Sequence, residues 1–600
     1  LGDVYKRQIV YNFKNRKVGL VMRKNFFLAG IIVLAFSVMS YGKVPNTSTK
    51  NSNVENWKPY DDNGEIIRTD RGATGKKGVV ATGKVEASRI GVDILKKGGN
   101  AIDAAVAAGF ALGVVEPNSS GLGGGGFMLI RIAKTGETVF IDFRERAPKK
   151  SSPEMWKVDD NGKVIGNTKV EGGKAAAVPG EVAGLLYALE KYGTMSREQV
   201  IRPAVNLAKN GYNVTPILSN DMKSEFDKLE KYPESAKVYL NKEGLPYEVG
   251  DKFTNKDLAK TLEIIIKKGK DGFYKGEVAQ AIVKTLNKYD GLYTMEDLAD
   301  YKPLIRKPVT GTYRGYEIIS SPSPSSGGAI VIEILNILEN FNVSELEVNS
   351  PEYLHLFSEA YKLAYADRAK YMGDSDYTPV PMKGFVSKKY AKEISKDIDM
   401  KVAHESKAHD PWLYESEDTT HFSIADKEGN MVAITKTVNG LFGNSVVVDG
   451  YGFVMNNEMD DFVVGAGHPN SVAPSKTPLS SMSPTIVLKD GKPFMVLGSP
   501  GATKIISTVS QVISRVIDHN MGMQEAIDTP RLWDNTSNVL NVETRVSDAT
   551  VKKLEEMGHK VNKTSDWDRG MGSVQGVLYK NDGTLEGGAD PRRDGKALGI

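Results

Sequence analysis

The sequence predicts a layered α+β fold, and three observations carry that expectation. Two early helices are bounded by glycine, a long middle stretch is amphipathic helix, and the chain turns strand-dominated beyond Thr419 before helices return. Ala87–Lys97 reads as a helix stopped by Gly98-Gly99, and Ala101–Val115 as a second, alanine-rich one. The β-rich runs Phe127–Ile132 and Thr138–Phe143 flank Lys134-Thr135-Gly136, a hairpin signal. From Pro203 to Asp300 the pattern is mostly amphipathic helix, with a turn expected at Lys270-Asp271-Gly272. Ser320–Gly328 reads as a Pro/Ser/Gly loop leading into the apolar helix Ala329–Leu338, and Tyr353–Tyr371 is helical. After a polar stretch over Asp410–Asp418, strands are expected at Thr419–Ala425, Met431–Val438, Gly452–Met455, Thr485–Leu488 and Phe494–Leu497. Helices follow at Ile505–Ile517 and Val551–Met557, and no internal repeat is present.

Composition excludes several function classes. The chain has 600 residues, 40% hydrophobic and 26% charged, the balance of a globular protein with room for two to four domain-sized units. Lys+Arg 78 against Asp+Glu 75 leaves +3 with no single-sign block, so no nucleic-acid partner is expected. Cysteine is absent, which excludes a disulfide framework, a thiolate nucleophile and a zinc–thiolate site. The seven histidines form no HExxH pair, and no metal or organic cofactor is expected. From Met22 a basic start, the apolar run Phe26–Met39 and Ser40-Tyr41-Gly42 before Lys43 describe a secretory signal peptide. That run is shorter than the ~20 residues a spanning helix needs, so a periplasmic or secreted protein without a membrane span is expected after signal cleavage. Residues 1–21 read as upstream leader, and 43–70 as a flexible polar lead-in.

Three motif matches fail on physical grounds. Gly78-Val-Val-Ala-Thr-Gly83-Lys84 resembles a P-loop, but Val85 stands where a Mg²⁺-binding hydroxyl is needed. Gly121-Leu-Gly123-Gly-Gly-Gly126 fits GxGxxG but runs into a strand, not the helix that would hold a pyrophosphate. Gly498-Ser499-Pro500-Gly501 is not a nucleophile elbow.

The informative segment runs from Asp418 to Thr437. Two β-rich runs flank Lys427-Glu428-Gly429, the signature of a three-residue hairpin loop ending in a left-handed glycine. That loop pairs Asp426 with Asn430 and, counted outward, sets Thr437 directly opposite Thr419. A threonine hydroxyl needs a base, and a free α-amine of pKa about 7.7–8.0 can serve as one. It is available only if the Asp418–Thr419 bond is broken. The segment by itself reads more readily as an exposed strand carrying two threonines.

The wider chain resembles the γ-glutamyltransferase (γ-glutamyl transpeptidase) family from about Gly78 to Arg593. The likeness is carried by Glu116-Pro117 with Ser120–Phe127, Asp142-Phe143-Arg144-Glu145, Val178-Pro179-Gly180 and Pro324–Gly328, in that order. It continues through Thr419-Thr420-His421, Asn456–Asp461 and Pro478–Thr485. The resemblance implies an Ntn-hydrolase four-layer αββα sandwich built from a self-cleaving precursor. It divides the chain into a leader and signal (1–42), a large subunit (43–418) and a small subunit (419–600) paired as a heterodimer. It implies an acyl-enzyme on Thr419, passed from glutathione or another γ-glutamyl compound to water, an amino acid or a peptide. Thr437 would position Thr419 and assist self-cleavage. Arg144 would take the α-carboxylate with Ser480 and Ser481; Asp461, Glu458 and Asn439 would accept the α-ammonium. Gly501 and Ala502 would offer oxyanion N–H groups.

Taken singly, these residues have plainer readings. Arg144 between acids is a surface ion pair, Asp460-Asp461 a solvated loop, Ser480-Ser481 turn polarity and Gly501 a turn glycine. A relative that cleaves poly-γ-glutamate or glutaryl amides is the nearest alternative, and a silent γ-glutamyl-binding protein a more distant one. Two departures stand out. The family commonly has Gly-Gly where this chain has Gly501-Ala502, and alanine dislikes positive φ. The 462–479 segment is short, so no full lid over the pocket is expected.

Overall fold

The computed structural model describes residues 57–405, 418–536 and 538–600. The expected leader, the signal segment, the start of the lead-in and residues 406–417, which hold all of the polar stretch but Asp418, lie outside the described residues. Fourteen strands build two main sheets. In chain order they are β1 (Ala73–Gly75), β2 (Gly78–Thr82), β3 (Gly125–Arg131), β4 (Thr138–Phe143), β5 (Leu304–Arg306), β6 (Val309–Tyr313) and β7 (Tyr316–Ser320). Then come β8 (Asp418–Asp426), β9 (Met431–Asn439), β10 (Thr485–Lys489), β11 (Lys492–Gly498), β12 (Gln575–Tyr579), β13 (Leu585–Ala589) and β14 (Lys596–Gly599). One sheet has the order β14-β2-β8-β9-β3-β4-β5, the other β1-β13-β12-β11-β10-β7-β6. Every ladder in both is antiparallel.

The two sheets face each other, and period-2 alternation shows how. Phe422, Ile424, Val432, Ile434, Met128 and Ile130 share one core with helices α1 (Val85–Lys96), α2 (Ala101–Val115) and α3 (Glu181–Tyr192). Their neighbours Ala425, Met431, Ala433, Phe127 and Leu129 face the other way, into a core shared with Val496, Val577 and Leu585 of the second sheet. Helices α4 (Gly327–Leu338), α5 (Pro351–Tyr371) and α6 (Lys504–Asp518) close that sheet's outer side through Ile330, Ile334, Phe357 and Val509. The result is four layers, helix–sheet–sheet–helix, as an α+β chain requires to bury both faces of each sheet.

Helix limits follow their local chemistry. Asn100 accepts from the Ile102 and Asp103 N–H groups while Asp103 answers the Asn100 N–H, a capping box that starts α2 where the sequence places it. Three expectations are corrected. Lys270-Asp271-Gly272 is not a turn but part of a short helix, Lys270–Tyr274, because the break falls one residue earlier at Gly269 with φ 60°. Gly452–Met455 joins no ladder and makes only single bridges, Val447 to Val454 and Gly123 to Met455. Residues 57–70 are not loose: Tyr60 bridges Ile66, and the Trp57 ring lies 5.0 Å from both Arg71 and Lys596. The first seven positions of the P-loop pattern become β2 and a structural ion pair, Lys84 to Asp594 at 2.5 Å.

Strands β12–β14 escape the sequence patterns because glycine punctuates them. Leu585-Glu586-Gly587-Gly588-Ala589 carries two adjacent glycines, and glycine is what lets the sheets approach there. A Cβ on Gly587 would stand 2.4 Å from Val79 Cγ1 across the sheet interface. Gly587→Ala is therefore expected to destabilise the protein by about 1–3 kcal/mol through overpacking. Calorimetry that finds an unchanged midpoint would mean the sheets are not in contact at this point.

Candidate active site

The site grows out of the β8–β9 hairpin. Asp426 N–H donates to Asn430 O, and Gly429 takes φ 92°, so the three-residue loop forms as the sequence predicts. The register then runs unbroken from Ala425–Met431 to Thr420–Lys436. There it slips: the next pair is Asp418–Asn439, so Thr419 lies opposite two residues of β9, Thr437 and Val438, a bulge in that strand. Thr437 is therefore one of two residues opposite Thr419 rather than its single partner, and Thr419 Oγ1 donates to Thr437 Oγ1 at 3.4 Å. Thr437 Oγ1 also accepts the Asn439 N–H at 2.7 Å, which fixes its orientation.

Neighbouring titratable groups are committed elsewhere. His421 is fully buried, with Nδ1 2.8 Å from Thr435 Oγ1 and Nε2 2.9 Å from Ser423 Oγ. Burial pushes its ring down to about 3, so it is neutral and both nitrogens are engaged. Lys436 points to the helical side, where Nζ binds Glu181 Oε1 at 2.7 Å and Gly109 O at 2.9 Å.

Around the threonine pair lies a cleft of about 290 Å³. Nine of the ten predicted catalytic and substrate-binding residues line it: Thr419, Thr437, Asn439, Arg144, Glu458, Asp461, Ser480, Ser481 and Ala502. Gly501 is next in the chain but is not a lining residue, and Met482 and Ile505, which sequence reasoning missed, add apolar wall.

Arg144, just past β4, is 2% exposed, which removes the surface ion-pair reading. Nη2 donates to Asp461 Oδ2 at 2.6 Å and to Leu479 O at 3.0 Å. Nη1 pairs with Glu458 and lies 3.9 Å from Glu145 Oε2. One guanidinium thus faces three carboxylates. Burial lifts Glu458 well above the usual carboxylate range and Glu145 to about 8, against the pull of Arg144. The acids return the effect: burial works against the Arg144 charge, but Glu458, Asp461 and Glu145 outweigh it and hold the proton more tightly.

Two asparagines aim the acidic turn Glu458–Asp461. Asn456 Oδ1 accepts from Ala177 and Glu458 N–H while its Nδ2 donates to Gly123 O and Ala177 O. Asn457 Oδ1 accepts from Gly440 N–H at 2.7 Å, and its carbonyl accepts from Asn439 Nδ2 at 3.2 Å. On the opposite wall the Ser326 N–H and hydroxyl each donate to Ser480 O at 2.8 Å. Arg368 of α5 donates to Ser481 Oγ and to Ser326 Oγ, both at 2.8 Å. Nothing in the sequence marks Arg368, which sits in an ordinary charged helix pattern.

The third wall is the start of α6. Ala502 adopts φ 49°, a left-handed conformation that costs an alanine about 1–2 kcal/mol. Lys504 N–H donates to Gly501 O and Ile505 N–H to Ala502 O, so the positive end of the α6 macrodipole abuts the cleft. The 462–479 segment folds away: Thr477 N–H donates to Asp374, Tyr377 OH to Pro474 O, and none of its residues lines the cleft.

Comparison with known proteins identifies the family. The family model described as Gamma-glutamyltranspeptidase matches residues 87–600. The chain is similar to the glutathione hydrolase proenzyme of Escherichia coli (strain K12), 44% identical over 531 residues that cover 86% of this chain and 90% of that protein. Among solved structures it is similar to cephalosporin acylase from Bacillus halodurans, with a TM-score of 0.80 and 29% identity over 91% of this chain and 98% of that one. It is also similar to Helicobacter pylori gamma-glutamyltranspeptidase, with a TM-score of 0.53 and 45% identity over 55% of this chain and 94% of that one.

The crowded carboxylates make a pH prediction. Glu145 keeps its proton up to about pH 8 when folded, against a reference value of 4.5, so the folded state binds more protons between the two. The contribution of Glu145 to stability is present at low pH and is lost as pH rises through 8. Thermal scans from about pH 5 to 8 are expected to show a smaller decline for Glu145→Gln than for the parent. Parallel slopes would show that Glu145 does not hold this proton.

Proposed function

The chain belongs to the gamma-glutamyltranspeptidase family, and on that premise we propose that it moves γ-glutamyl groups from glutathione-like donors to water, amino acids or peptides through an acyl-enzyme on Thr419. One observation carries the substrate reading: a single buried guanidinium confronts three carboxylates beside the Thr419–Thr437 pair. Such a set holds more carboxyl groups than one cation can keep ionised, and an α-ammonium group supplies the missing cation. Glu458, Asp461 and the Asn439 amide accept it. The α-carboxylate of the same head docks on the Ser480 and Ser481 hydroxyls and shares Arg144 with the acids. Held at both charged groups, the glutamyl chain presents its γ-carbonyl to Thr419.

The chemistry then uses only the chain's own groups. Thr419 Oγ1 attacks the γ-carbonyl carbon as the free α-amine of Thr419 takes its proton. The oxyanion is met by the N–H groups of Gly501 and Ala502 at the positive end of α6. Collapse expels the amine, which leaves with the proton, and the resulting ester is opened by water or by an acceptor amine.

A free α-amine requires the chain to be cut between Asp418 and Thr419, giving 43–418 and 419–600 once the 1–42 leader and signal are gone. The two pieces stay together because β8 and β9 of the second lie between β2 and β3 of the first. The designation of the Escherichia coli relative as a proenzyme supports this reading. So does the Helicobacter pylori chain, matched over 94% of itself but only 55% of this one. The signal segment supports export to the periplasm or beyond. Among the described residues no helix is long and apolar enough to cross a membrane.

The acylase likeness raises a glutaryl substrate as the second reading, but a glutaryl chain has no α-ammonium and would leave Glu458, Asp461 and Glu145 to share the single Arg144 cation. Steady-state kinetics test the choice. Arg144→Lys keeps the charge and loses the fork, and is expected to raise KM for γ-glutamyl amides about 10- to 150-fold, or roughly 1.5–3 kcal/mol. Asp461→Asn is expected to act similarly, and the parent should prefer γ-glutamyl to glutaryl amides. Unchanged KM in both variants, or equal kcat/KM for the two amides, contradicts the zwitterion pocket.

A further inference from the structure

A second cluster of coordinating side chains lies where no step of the reaction needs one. Helix α5 carries His355 and Glu359 one turn apart on a wholly buried face. His559, just after the Asp548–Glu556 helix, brings Nε2 to 2.7 Å from His355 Nδ1. His404 meets Glu359 Oε2 through Nδ1. The ligand atoms of His355, Glu359 and His559 all fall within 4.8 Å of one another.

The surroundings orient these groups toward one point. His355 Nε2 lies 2.8 Å from the Asp399 carbonyl, which can only accept, so Nε2 holds the proton and Nδ1 turns its lone pair to the cluster. A backbone carbonyl on the outer imidazole nitrogen is the usual support of a metal-binding histidine. Lys362 Nζ takes the other oxygen of Glu359 at 2.8 Å and the His404 carbonyl at 2.9 Å, leaving Oε2 directed inward. The loops bearing His404 and His559 are clamped together by Ala403 N–H to Met557 O at 2.8 Å. His404 is 27% exposed in its side chain and gives the cluster a path to solvent.

We propose that His355, Glu359 and His559 bind one divalent transition-metal ion of the Zn²⁺ class. Two imidazole nitrogens and one carboxylate oxygen are a borderline-soft donor set that suits Zn²⁺ and not Ca²⁺ or Mg²⁺, which take oxygen ligands. A water completes the tetrahedron. At ligand distances of about 2.0–2.1 Å the donors stand roughly 3.3 Å apart, and the His355–His559 pair opens by about half an ångström to reach that spacing. The ion ties α5 to the loop at His559. Two ligands precede the Asp418–Thr419 bond and one follows it, so on the processing proposed above the ion also staples the two pieces. His355 and Glu359 share the i, i+4 spacing of one helix face, but nothing in the sequence joins His559 to them.

Zinc itself is the probe. The purified full protein, stripped with a chelator and dialysed against micromolar Zn²⁺, is expected to retain one equivalent by elemental mass spectrometry. Its thermal midpoint should rise by a few degrees, and Co²⁺ in its place should give the strong visible bands of a four-coordinate ion. His355→Gln and His559→Gln are expected to weaken retention at least tenfold. A parent protein that keeps no Zn²⁺ and shows no shift overturns the proposal, whether or not the variants fold. Folded variants that bind Zn²⁺ like the parent overturn the ligand assignment.

Discussion

The antiparallel pairing of β8 with β9 is the constraint to which the whole cleft is referred. β8 is interior to its sheet, paired with β9 from its first residue and with β2 from Phe422 onward. One face lies under α2 and α3 through Phe422 and Ile424; the other abuts the second sheet, where Ser423 Oγ donates to Gln575 O at 3.0 Å. The register slip at Thr419 is the one irregularity in this rigid setting, and it turns a strand residue toward the cleft. At the far end of β9, Asn439 adopts φ 73° and sends the chain away, to return as Asn456 and Asn457 and deliver the acidic turn.

Two buried cations near Thr419 show how charge is divided between scaffold and site. Lys436 and Glu181 make a closed one-to-one pair at 2.7 Å with no exposed surface, and the pair fastens β9 to the first residue of α3. Buried pairs of this kind set geometry more than they add stability. Arg144 is different because three acids share it. Its surroundings raise two carboxylates far enough that they lose charge unless another cation arrives. The imbalance lies at the cleft, beside a helix start that favours negative charge, so opposite demands line one cleft: a cation at Glu458 and Asp461, an anion at Ala502. A γ-glutamyl head group with a developing oxyanion meets both.

The parts of this arrangement legible in the sequence are those written in local pattern. The hairpin register came from loop length, the end of α1 from the Gly98-Gly99 stop and α2 from its alanine run. The bulge opposite Thr419 has no local signature, since it depends on how β9 meets β3 and the Asn439 turn. The family resemblance supplied the site residues, and nine of those ten side chains converge on one cleft. Arg368 and the two asparagines that aim the acidic turn were not assigned roles, because long-range support of this kind leaves no spacing to read. Glycine-rich strands were missed for a related reason: Gly587 looks like punctuation until Val79 is placed against it. The His355–Glu359–His559 cluster is the extreme case, assembled wholly by the fold.

The central claim is that Thr419 becomes a chain terminus by the protein's own action and then serves as nucleophile. Intact mass and N-terminal sequencing of protein purified and incubated alone test it most directly. The account predicts two chains, the second beginning Thr419-Thr420-His421-Phe422, and a Thr419→Ala protein that stays whole and inactive. A parent protein that remains a single chain while turning over γ-glutamyl amides, or a Thr419→Ala protein that still splits at that bond, contradicts it.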